Sequence, residues 1–378
     1  MKLNALLSLI GIALFTSCIQ DEALNTECDI ETVSVETTNV DEIFYNEANS
    51  TLNVASSDSV IVFHTKEGLD TELLKNITVN LKLTPGASVY PANGSVHDFS
   101  EGGVHFTVTS EDGSQQRTYQ VVFKPNTPLP LDINFESFEL DPDGKYYQWF
   151  EQTGNEKSYV WATGNPGFRL SKGSAKWDQY PTAPCQSPSI SGHSVKLVTR
   201  STGAFGALMK MPIAAGNLYI GTFDVSNALQ DAMAATRFGL PFTKKPIRLE
   251  GYYQFTPGST FTGPNGNVIE NRIDAPDIYA VLYENTDENG NPIQLCGDDV
   301  LTHPNIVALA RIKNPVTSQE WVKFDLPFEY RKEVDTQRLN ELEYNLAVVF
   351  SSSIDGATFM GAVGSTLIVD AVRIICEE

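Results

Sequence analysis

The chain has 378 residues, a formal net charge of −21 at pH 7 and 41% hydrophobic residues. Such a charge repels a phosphate backbone and argues against nucleic acid as a partner, while the ordinary hydrophobic fraction excludes a disordered chain. The counts of 27 Gly, 20 Pro, 14 Tyr and 20 Phe, together with few helical repeats, favour an all-β protein of two or three domains.

The N-terminus is typical of a secretion signal. Lys2 precedes an apolar run over residues 6–15 that is too short to span a membrane. The run ends at Thr16-Ser17-Cys18, which resembles a bacterial lipobox, so we expect cleavage of residues 1–17 and lipidation of Cys18. The alternative is a secretory signal with a coincidental cysteine.

The residues after Cys18 predict where the protein is held. Gln20-Asp21-Glu22 resembles the export signal of surface lipoproteins, which implies a lipid-anchored protein of the outer membrane, exposed at the cell surface. Residues 18–29 would form its tether. The remaining cysteines have no CxxC motif and no regular spacing, so we expect isolated, mostly buried thiols whose disulfide state stays open; they are Cys28, Cys185, Cys296 and Cys376.

Residues 30–124 predict short strands that fit an immunoglobulin-like β-sandwich. Apolar residues alternate over 77–83 and over 104–108, and Asp112-Gly113 marks a hairpin turn before the next strand. Nothing in this domain suggests chemistry, so we interpret it as a spacer. Residues 125–130 contain three prolines and predict a stiff linker.

Residues 131–378 predict one large β-domain, a jelly-roll sandwich with long connections rich in Gly and Pro. An Ala-rich segment over 226–236 is compatible with one short helix. The predicted strands are 195–199, 218–223, 247–255, 278–284, 306–312, 321–328, 344–351 and 366–375.

The strand over 247–255 alternates strictly between two faces. Ile247, Leu249, Gly251, Tyr253 and Phe255 would face the core. Arg248, Glu250, Tyr252 and Gln254 would lie on the other face, where an aromatic ring among polar groups could bind a sugar. The same pattern also fits an ordinary amphipathic strand.

Several stretches of the large domain resemble the putative carbohydrate metabolism domain family; they are 161–167, 214–221, 277–284 and the tail over 350–370. The resemblance covers about residues 131–378, in order. It implies an outer-membrane lipoprotein whose jelly roll is similar to galactose-binding-like modules, behind an immunoglobulin-like domain. We know of no agreed catalytic motif in this family to carry over.

Motifs for other chemistries are missing from the sequence. It has no G-x-S-x-G elbow, no Walker A lysine and no zinc-type spacing among its five histidines. A glycoside hydrolase would need two carboxylates about 5–10 Å apart. The candidates are Glu250, Asp277 and Glu284, and for each the alternative is an ion-paired or surface carboxylate.

Carbohydrate binding would need stacking rings and amide or carboxylate groups. Trp161 with Asn165 in a Gly- and Pro-rich loop is one candidate pair, although a buried Trp fits equally well. Tyr252 is a second candidate. Tyr279 with Asp277 is favoured, because ring and carboxylate lie two residues apart on one strand face.

Asp370 shares a strand face with apolar residues and therefore needs a partner. A structural calcium ion held with Glu136 is one hypothesis, and a carboxylate bonded to backbone amides is the other. We expect no further cofactor.

The sequence thus predicts a surface lipoprotein that binds a polysaccharide or oligosaccharide for glycan utilisation, as a monomer or within an uptake complex. The alternatives are a glycoside hydrolase with paired carboxylates and a structural component of an outer-membrane complex.

Overall fold

The computed structural model describes residues 24–377, apart from residues 46, 55, 57, 67, 127, 154, 155, 226 and 290. Strands make up 44% of the chain and helices 11%, so the protein is all-β, as the composition predicts. The predicted signal peptide and Cys18 lie outside the described residues. Within the described part of the chain, no helix is long and apolar enough to cross a membrane.

The first sandwich consists of two four-stranded sheets, with strand orders β2-β1-β4-β6 and β3-β8-β7-β5. Its strands are β1 (Ile30–Glu36), β2 (Thr51–Asn53), β3 (Val60–Thr65), β4 (Ile77–Leu83), β5 (Ser88–Tyr90), β6 (Ser95–His97), β7 (Val104–Thr109) and β8 (Gln116–Pro125). The Asp112-Gly113 turn joins β7 to β8, and Gly113 there has a φ of +71° that favours glycine.

The second sandwich begins at the linker, where Leu129 is already buried in its core. Its short strands up to residue 214 are β9 (Asp132–Ile133), β10 (Phe138–Leu140), β11 (Tyr147–Trp149), β12 (Glu151–Thr153), β13 (Glu156–Ser158), β14 (Trp161–Ala162), β15 (Thr182–Cys185), β16 (Ser194–Val198), β17 (Arg200–Ser201) and β18 (Ile213–Ala214). The strands that follow are β19 (Asn217–Phe223), β20 (Thr236–Phe238), β21 (Leu240–Pro241), β22 (Pro246–Thr256), β23 (Phe261–Thr262), β24 (Asp277–Glu284), β25 (Leu295–Cys296), β26 (Ile306–Arg311), β27 (Ser318–Pro327), β28 (Glu329–Tyr330), β29 (Tyr344–Ser351), β30 (Gly361–Ala362) and β31 (Thr366–Cys376).

Helices are few and short in the described residues. The α-helices are α1 (Val40–Ile43), α2 (Asn165–Ser171), α3 (Gly203–Leu208) and α4 (Thr336–Asn340). Single 3₁₀ turns are Glu47–Ser50, Thr71–Leu74, Trp177–Gln179, Asn227–Leu229 and Gly356–Thr358. The expected helix over 226–236 is therefore only a 3₁₀ turn at Asn227–Leu229. The Asp231 carboxylate accepts from the N–H groups of Met233 and Ala234, which favours turns up to the start of β20.

Two sheets enclose the larger core. One has the order β15-β16-β31-β22-β27, with β9 beside β31. The other has the order β25-β20-β19-β29-β24-β26-β28, with β14 also paired to β19 and β21 also paired to β29. Leu249, Tyr253 and Phe255 of β22 meet Ile278 and Leu282 of β24 in one apolar cluster. Alternation along both strands puts these residues on the inner faces.

Two expectations for individual residues need correction. Ile247 is 39% exposed rather than in the core, because the pairing of β22 with β31 shifts register between Pro246 and Arg248. The described cysteines are free, but each is half-buried instead of mostly buried.

In the predicted tether, Asn25 donates to the Pro85 carbonyl oxygen, so this residue already contacts the first sandwich.

The nine-stranded sheet is covered on its outer face as well. Tyr219, Tyr279 and Tyr283 pack there with Phe238 and Val300 in an apolar cluster separate from the main core. Phe238 of β20 and Leu295 of β25 belong to this cluster, so the β20–β25 end of the same sheet contributes to the cover, together with the loop that carries Val300. A sheet with apolar residues on both faces needs such a second layer, and the candidate site lies between that layer and the sheet.

Candidate functional site

Two rows of side chains cross the three central strands of the nine-stranded sheet. Asn217 of β19 and Asp277 of β24 both pair with Ser351 of β29, so these three residues form one polar row. Tyr219 and Tyr279 both pair with Val349, which makes an aromatic row two residues further along. Neighbouring strands lie about 4.8 Å apart, so each row spans about 10 Å. Both rows lie on the outer face.

A cavity of about 210 Å³ lies over the two rows. Its walls come from α2, from α3 and the chain after it, and from the segments around Met233 and Ile354. Loops therefore supply most of the wall, while the rigid sheet supplies the floor. A mostly apolar cavity with a few convergent polar groups is typical of a ligand site.

Asp277 is the buried charge at the polar end of the cavity floor. It is 3% exposed. Arg311 of the neighbouring strand donates from Nε to Oδ1 of Asp277 at 3.0 Å and from Nη2 to Oδ2 at 2.7 Å. Burial raises the pKa of the Asp277 carboxyl, and the hydrogen bonds and charge of Arg311 act in the opposite direction. The bidentate contact fixes the carboxylate as a hydrogen-bond acceptor toward the cavity.

Tyr279 differs from the other tyrosine of its row. Its side chain is 6% exposed and lines the cavity, and its hydroxyl forms no hydrogen bond with any described residue. The Tyr219 hydroxyl, in contrast, donates to the Thr222 carbonyl oxygen at 3.1 Å. Burial raises the pKa of Tyr279 far above its usual range, so the hydroxyl stays protonated. It can donate to a ligand without breaking a bond inside the protein.

Serines behind the polar row hold it in place. The Ser353 hydroxyl donates to Asp274 at 2.6 Å, and the hydroxyl of Thr199, which directly follows β16 of the other sheet, lies 2.8 Å from that of Ser352. The Asp274 carboxylate also accepts from Ser365 at 2.6 Å. These buried hydrogen bonds join the two sheets at this end of the sandwich, so the end of β29 has little freedom to move.

A family model described as a putative carbohydrate metabolism domain matches residues 134–375, which include every residue of these rows. The chain belongs to this family. A second family model, described as SGBP, N-terminal, matches residues 43–122 in the first sandwich. No curated protein matches the chain.

The solved structures that are similar to the chain include two from Bacteroides species. A putative glycoside hydrolase from Bacteroides thetaiotaomicron VPI-5482 is 37% identical, with a TM-score of 0.75, over 95% of this chain and 99% of that one. A putative glycoside hydrolase from Bacteroides vulgatus ATCC 8482 is also 37% identical, with a TM-score of 0.61, over 67% of this chain and 100% of that one. Family and relatives together give the chain a carbohydrate-related function.

Trp161 and Asn165 of the carbohydrate metabolism domain both lie inside the protein. Trp161 is 6% exposed, belongs to the main core and donates from Nε1 to Glu151 at 2.9 Å. Asn165 is fully buried at the start of α2 rather than in a loop. Its amide bonds the backbone of Thr182 twice, at 2.8 and 3.1 Å. In this structure neither side chain has a free face for a sugar.

The three candidate carboxylates are not brought together. Asp277 and Glu284 lie at opposite ends of β24, seven residues and about 23 Å apart, whereas a glycosidase pair is about 5–10 Å apart. Glu250 belongs to the other sheet, where it lies 3.3 Å from Lys323. Each acid therefore has its own basic partner and none faces another.

Glu284 illustrates how basic partners lower the pKa of a carboxyl group. Lys332 contacts it at 2.6 Å and Arg338 at 2.7 Å. Burial by itself would raise the pKa of Glu284, but the hydrogen bonds and charges of the two cations lower it. Glu284 is thus ionised at neutral pH and unsuited to donate a proton.

Tyr252 lies with Glu250 on the outer face of the six-stranded sheet. The pairing of β22 puts Tyr252 between Lys323 and Asp370, and its side chain is half-buried. It is not part of the cavity, which lies on the other sheet. Of the predicted binding residues, the structure thus brings Asp277 and Tyr279 together in one cavity and leaves the others elsewhere.

The proposed calcium ligands are bonded to nitrogen groups. Asp370, 2% exposed, accepts from the backbone N–H groups of Ile190 at 2.6 Å and Ala371 at 2.7 Å. Glu136 accepts from the N–H of His193 at 2.7 Å. Calcium prefers about six to eight oxygen ligands, and no group of three His, Cys, Asp or Glu residues in the described chain could hold a metal ion. This donor set does not fit calcium.

The cavity walls contain residues that sequence reasoning did not select. Phe205, Met209, Met211 and Met233 line the cavity from segments with no strand or helix periodicity. Asn217 of the polar row was also missed. Its side-chain oxygen accepts from the Gly164 N–H at 2.6 Å. The available signal was the position of Asn217 directly before the predicted strand over 218–223, within the stretch 214–221 that resembles the family.

Proposed function

We propose that the chain is a surface lipoprotein that binds carbohydrate in the cavity over the Tyr219–Tyr279 row. The observation that carries this proposal is the unpaired Tyr279 hydroxyl beside the fixed Asp277 carboxylate. Together they offer one donor and one acceptor next to aromatic rings, and a sugar needs both kinds of contact.

The anchoring and the division of the chain belong to the same proposal. The lipobox-like Thr16-Ser17-Cys18 supports lipidation of Cys18, and the first-sandwich match to the SGBP N-terminal family supports a surface glycan-binding role. In this account residues 18–29 are the tether, 30–124 the spacer domain, 125–130 the linker and 131–378 the carbohydrate domain. Such a protein would act at the outer membrane, as a monomer or in a glycan-uptake complex.

A glycoside hydrolase is the second candidate, because both solved relatives are described as putative glycoside hydrolases. The separation of Asp277, Glu284 and Glu250 argues against a two-carboxylate mechanism with these residues. Hydrolysis by this chain would therefore need a pair outside the predicted set.

A single panel distinguishes the candidates. The form that lacks residues 1–18 is incubated with plant and host polysaccharides, and both retention on affinity gels and release of reducing ends are followed. Retention without release, weakened by Tyr279→Phe but not by the control Tyr252→Phe on the other sheet, supports binding. Release of reducing ends would favour the hydrolase, and neither signal would favour a structural component.

A further inference from the structure

The cavity walls are unusually poor in polar groups for a sugar site. Phe168, Phe205 and Phe223 line it together with Met209 and Met233. With Met211, three of the five methionines of the chain lie here. Methionine side chains are flexible and polarisable, so they adapt to apolar groups of varied shape.

Most hydroxyl groups that line the cavity already donate to the protein. Ser171 donates to the Phe168 carbonyl oxygen at 2.9 Å, Thr202 to that of Met211 at 2.5 Å, and Ser351 to that of Ser353 at 2.9 Å. Their protons are therefore not available to a ligand.

On the floor, three side-chain groups keep a free donor or acceptor for a ligand. They are the Tyr279 hydroxyl, the side-chain nitrogen of Asn217, which donates to no described residue, and the outward lone pairs of Asp277. A hexopyranose carries a hydroxyl on almost every ring carbon. Buried here, it would leave several hydroxyls without partners, and each unpaired polar group weakens binding.

The mouth of the cavity is also apolar. Five side chains around it are 38 to 45% exposed: Leu170, Phe205, Met209, Leu229 and Ile354. Single exposed apolar residues are ordinary, but a group of them around one opening marks a binding surface. Apolar contact thus continues from the floor to the surface.

We propose that the sugar held in this cavity carries an apolar substituent, either the methyl group of a 6-deoxyhexose or an ester-linked acyl group. The sugar ring would place its remaining hydroxyls on the polar row, and the substituent would face the Phe and Met walls. This inference rests on the proposed function, since it names the class of sugar that the same cavity selects.

The test compares ligands that differ in one group. L-Fucose and L-galactose methyl glycosides differ only in the hydroxyl at C6, and an acylated polysaccharide is compared with the same material after mild alkaline de-esterification. We expect the substituted member of one pair to bind at least about tenfold more tightly than its partner. A difference between the two methyl glycosides would identify the substituent as the methyl group of a 6-deoxyhexose, and a difference between the two polysaccharides would identify it as an acyl group.

Two variants on α3 locate the effect. Phe205 lines the cavity, while Leu208 on the same helix is 80% exposed and does not. Because both side chains are substantially exposed, Ser at either position should leave folding intact. Phe205→Ser should reduce the preference for the substituted ligand severalfold, and Leu208→Ser should leave it unchanged.

The outcomes separate this inference from the function it rests on. Measurable binding with equal or greater affinity for the unsubstituted member of every pair would overturn the inference and leave carbohydrate binding in place. So would an equal effect of both Ser variants. Absence of binding to every sugar and polysaccharide would overturn both.

Discussion

The Tyr279 hydroxyl gives a prediction in which stability and affinity change in opposite directions. Tyr279→Phe removes a hydroxyl that lines the cavity and has no hydrogen-bond partner among the described residues, while the ring stays in its apolar cluster. The Tyr279 oxygen is not one of the fully buried atoms that lack a partner, so the cost of about 1–3 kcal/mol for an unpaired buried polar group does not apply in full. We therefore expect the free energy of unfolding to stay unchanged or to rise by about 1 kcal/mol.

The same substitution should weaken ligand binding. One hydrogen bond contributes about 0.5–1.5 kcal/mol, which corresponds to a loss of affinity of about two- to tenfold. Tyr219→Phe is the matched control, because it removes the same group from the same row but breaks the bond to Thr222. That variant should lose about 1 kcal/mol of stability.

Denaturant unfolding and titration calorimetry measure the two quantities on the same preparations. The reasoning is refuted if Tyr279→Phe destabilises the protein as much as Tyr219→Phe does, since the hydroxyl would then have a structural partner. It is also refuted if Tyr279→Phe binds the retained glycan as tightly as the wild type.

Four further predictions follow from the ion pairs and the buried residues. Asp277→Asn should cost about 2 kcal/mol of stability, and a double-mutant cycle with Arg311→Gln should show coupling of about 1 kcal/mol or more; additive effects would contradict the pairing. Because the folded-state pKa of Glu284 is lowered, its contribution is present above the ordinary value of 4.5 and is lost as the pH falls through the folded pKa. Glu284→Gln should thus lower the free energy of unfolding by about 1 kcal/mol at pH 7 and by less as the pH falls below 4.5; an equal loss at pH 7 and at pH 3 would refute this. Trp161→Ala should cost about 3–5 kcal/mol while the folded fraction keeps its glycan affinity, and a selective loss of affinity would restore the stacking role. EDTA should leave the melting temperature unchanged, since Asp370 bonds to backbone N–H groups; a fall that calcium reverses would restore the metal site.

The sequence predicted the strands of the larger sandwich well because their apolar period is long and regular. All eight predicted strands are found, most of them with bounds within one or two residues, and Tyr344–Ser351 has the same bounds. The shared face of Asp277 and Tyr279 is also as predicted, since a period of two fixes relative side-chain direction.

The sequence did not predict which strand faces are covered by a second layer of the protein. Both faces of β24 are buried, one by the opposite sheet and the other by loops, and periodicity cannot distinguish such covers. The segment around Trp161 is rich in Gly and Pro, as a sugar-binding loop would be. Its short strand β14 nevertheless pairs with β19, and the Trp161 ring packs in the main core. Of the cavity walls, Phe168 and Phe205 lie on the short helices α2 and α3, and Met209, Met211 and Met233 lie in irregular segments whose positions depend on tertiary contacts.

A crystal structure of the chain with the glycan that it retains most strongly tests the central claim most directly. The account predicts a sugar residue over the Tyr219–Tyr279 row, with hydrogen bonds to the Tyr279 hydroxyl and the Asp277 carboxylate. A glycan bound instead on the outer face of the six-stranded sheet, beside Tyr252 and Glu250, would contradict it.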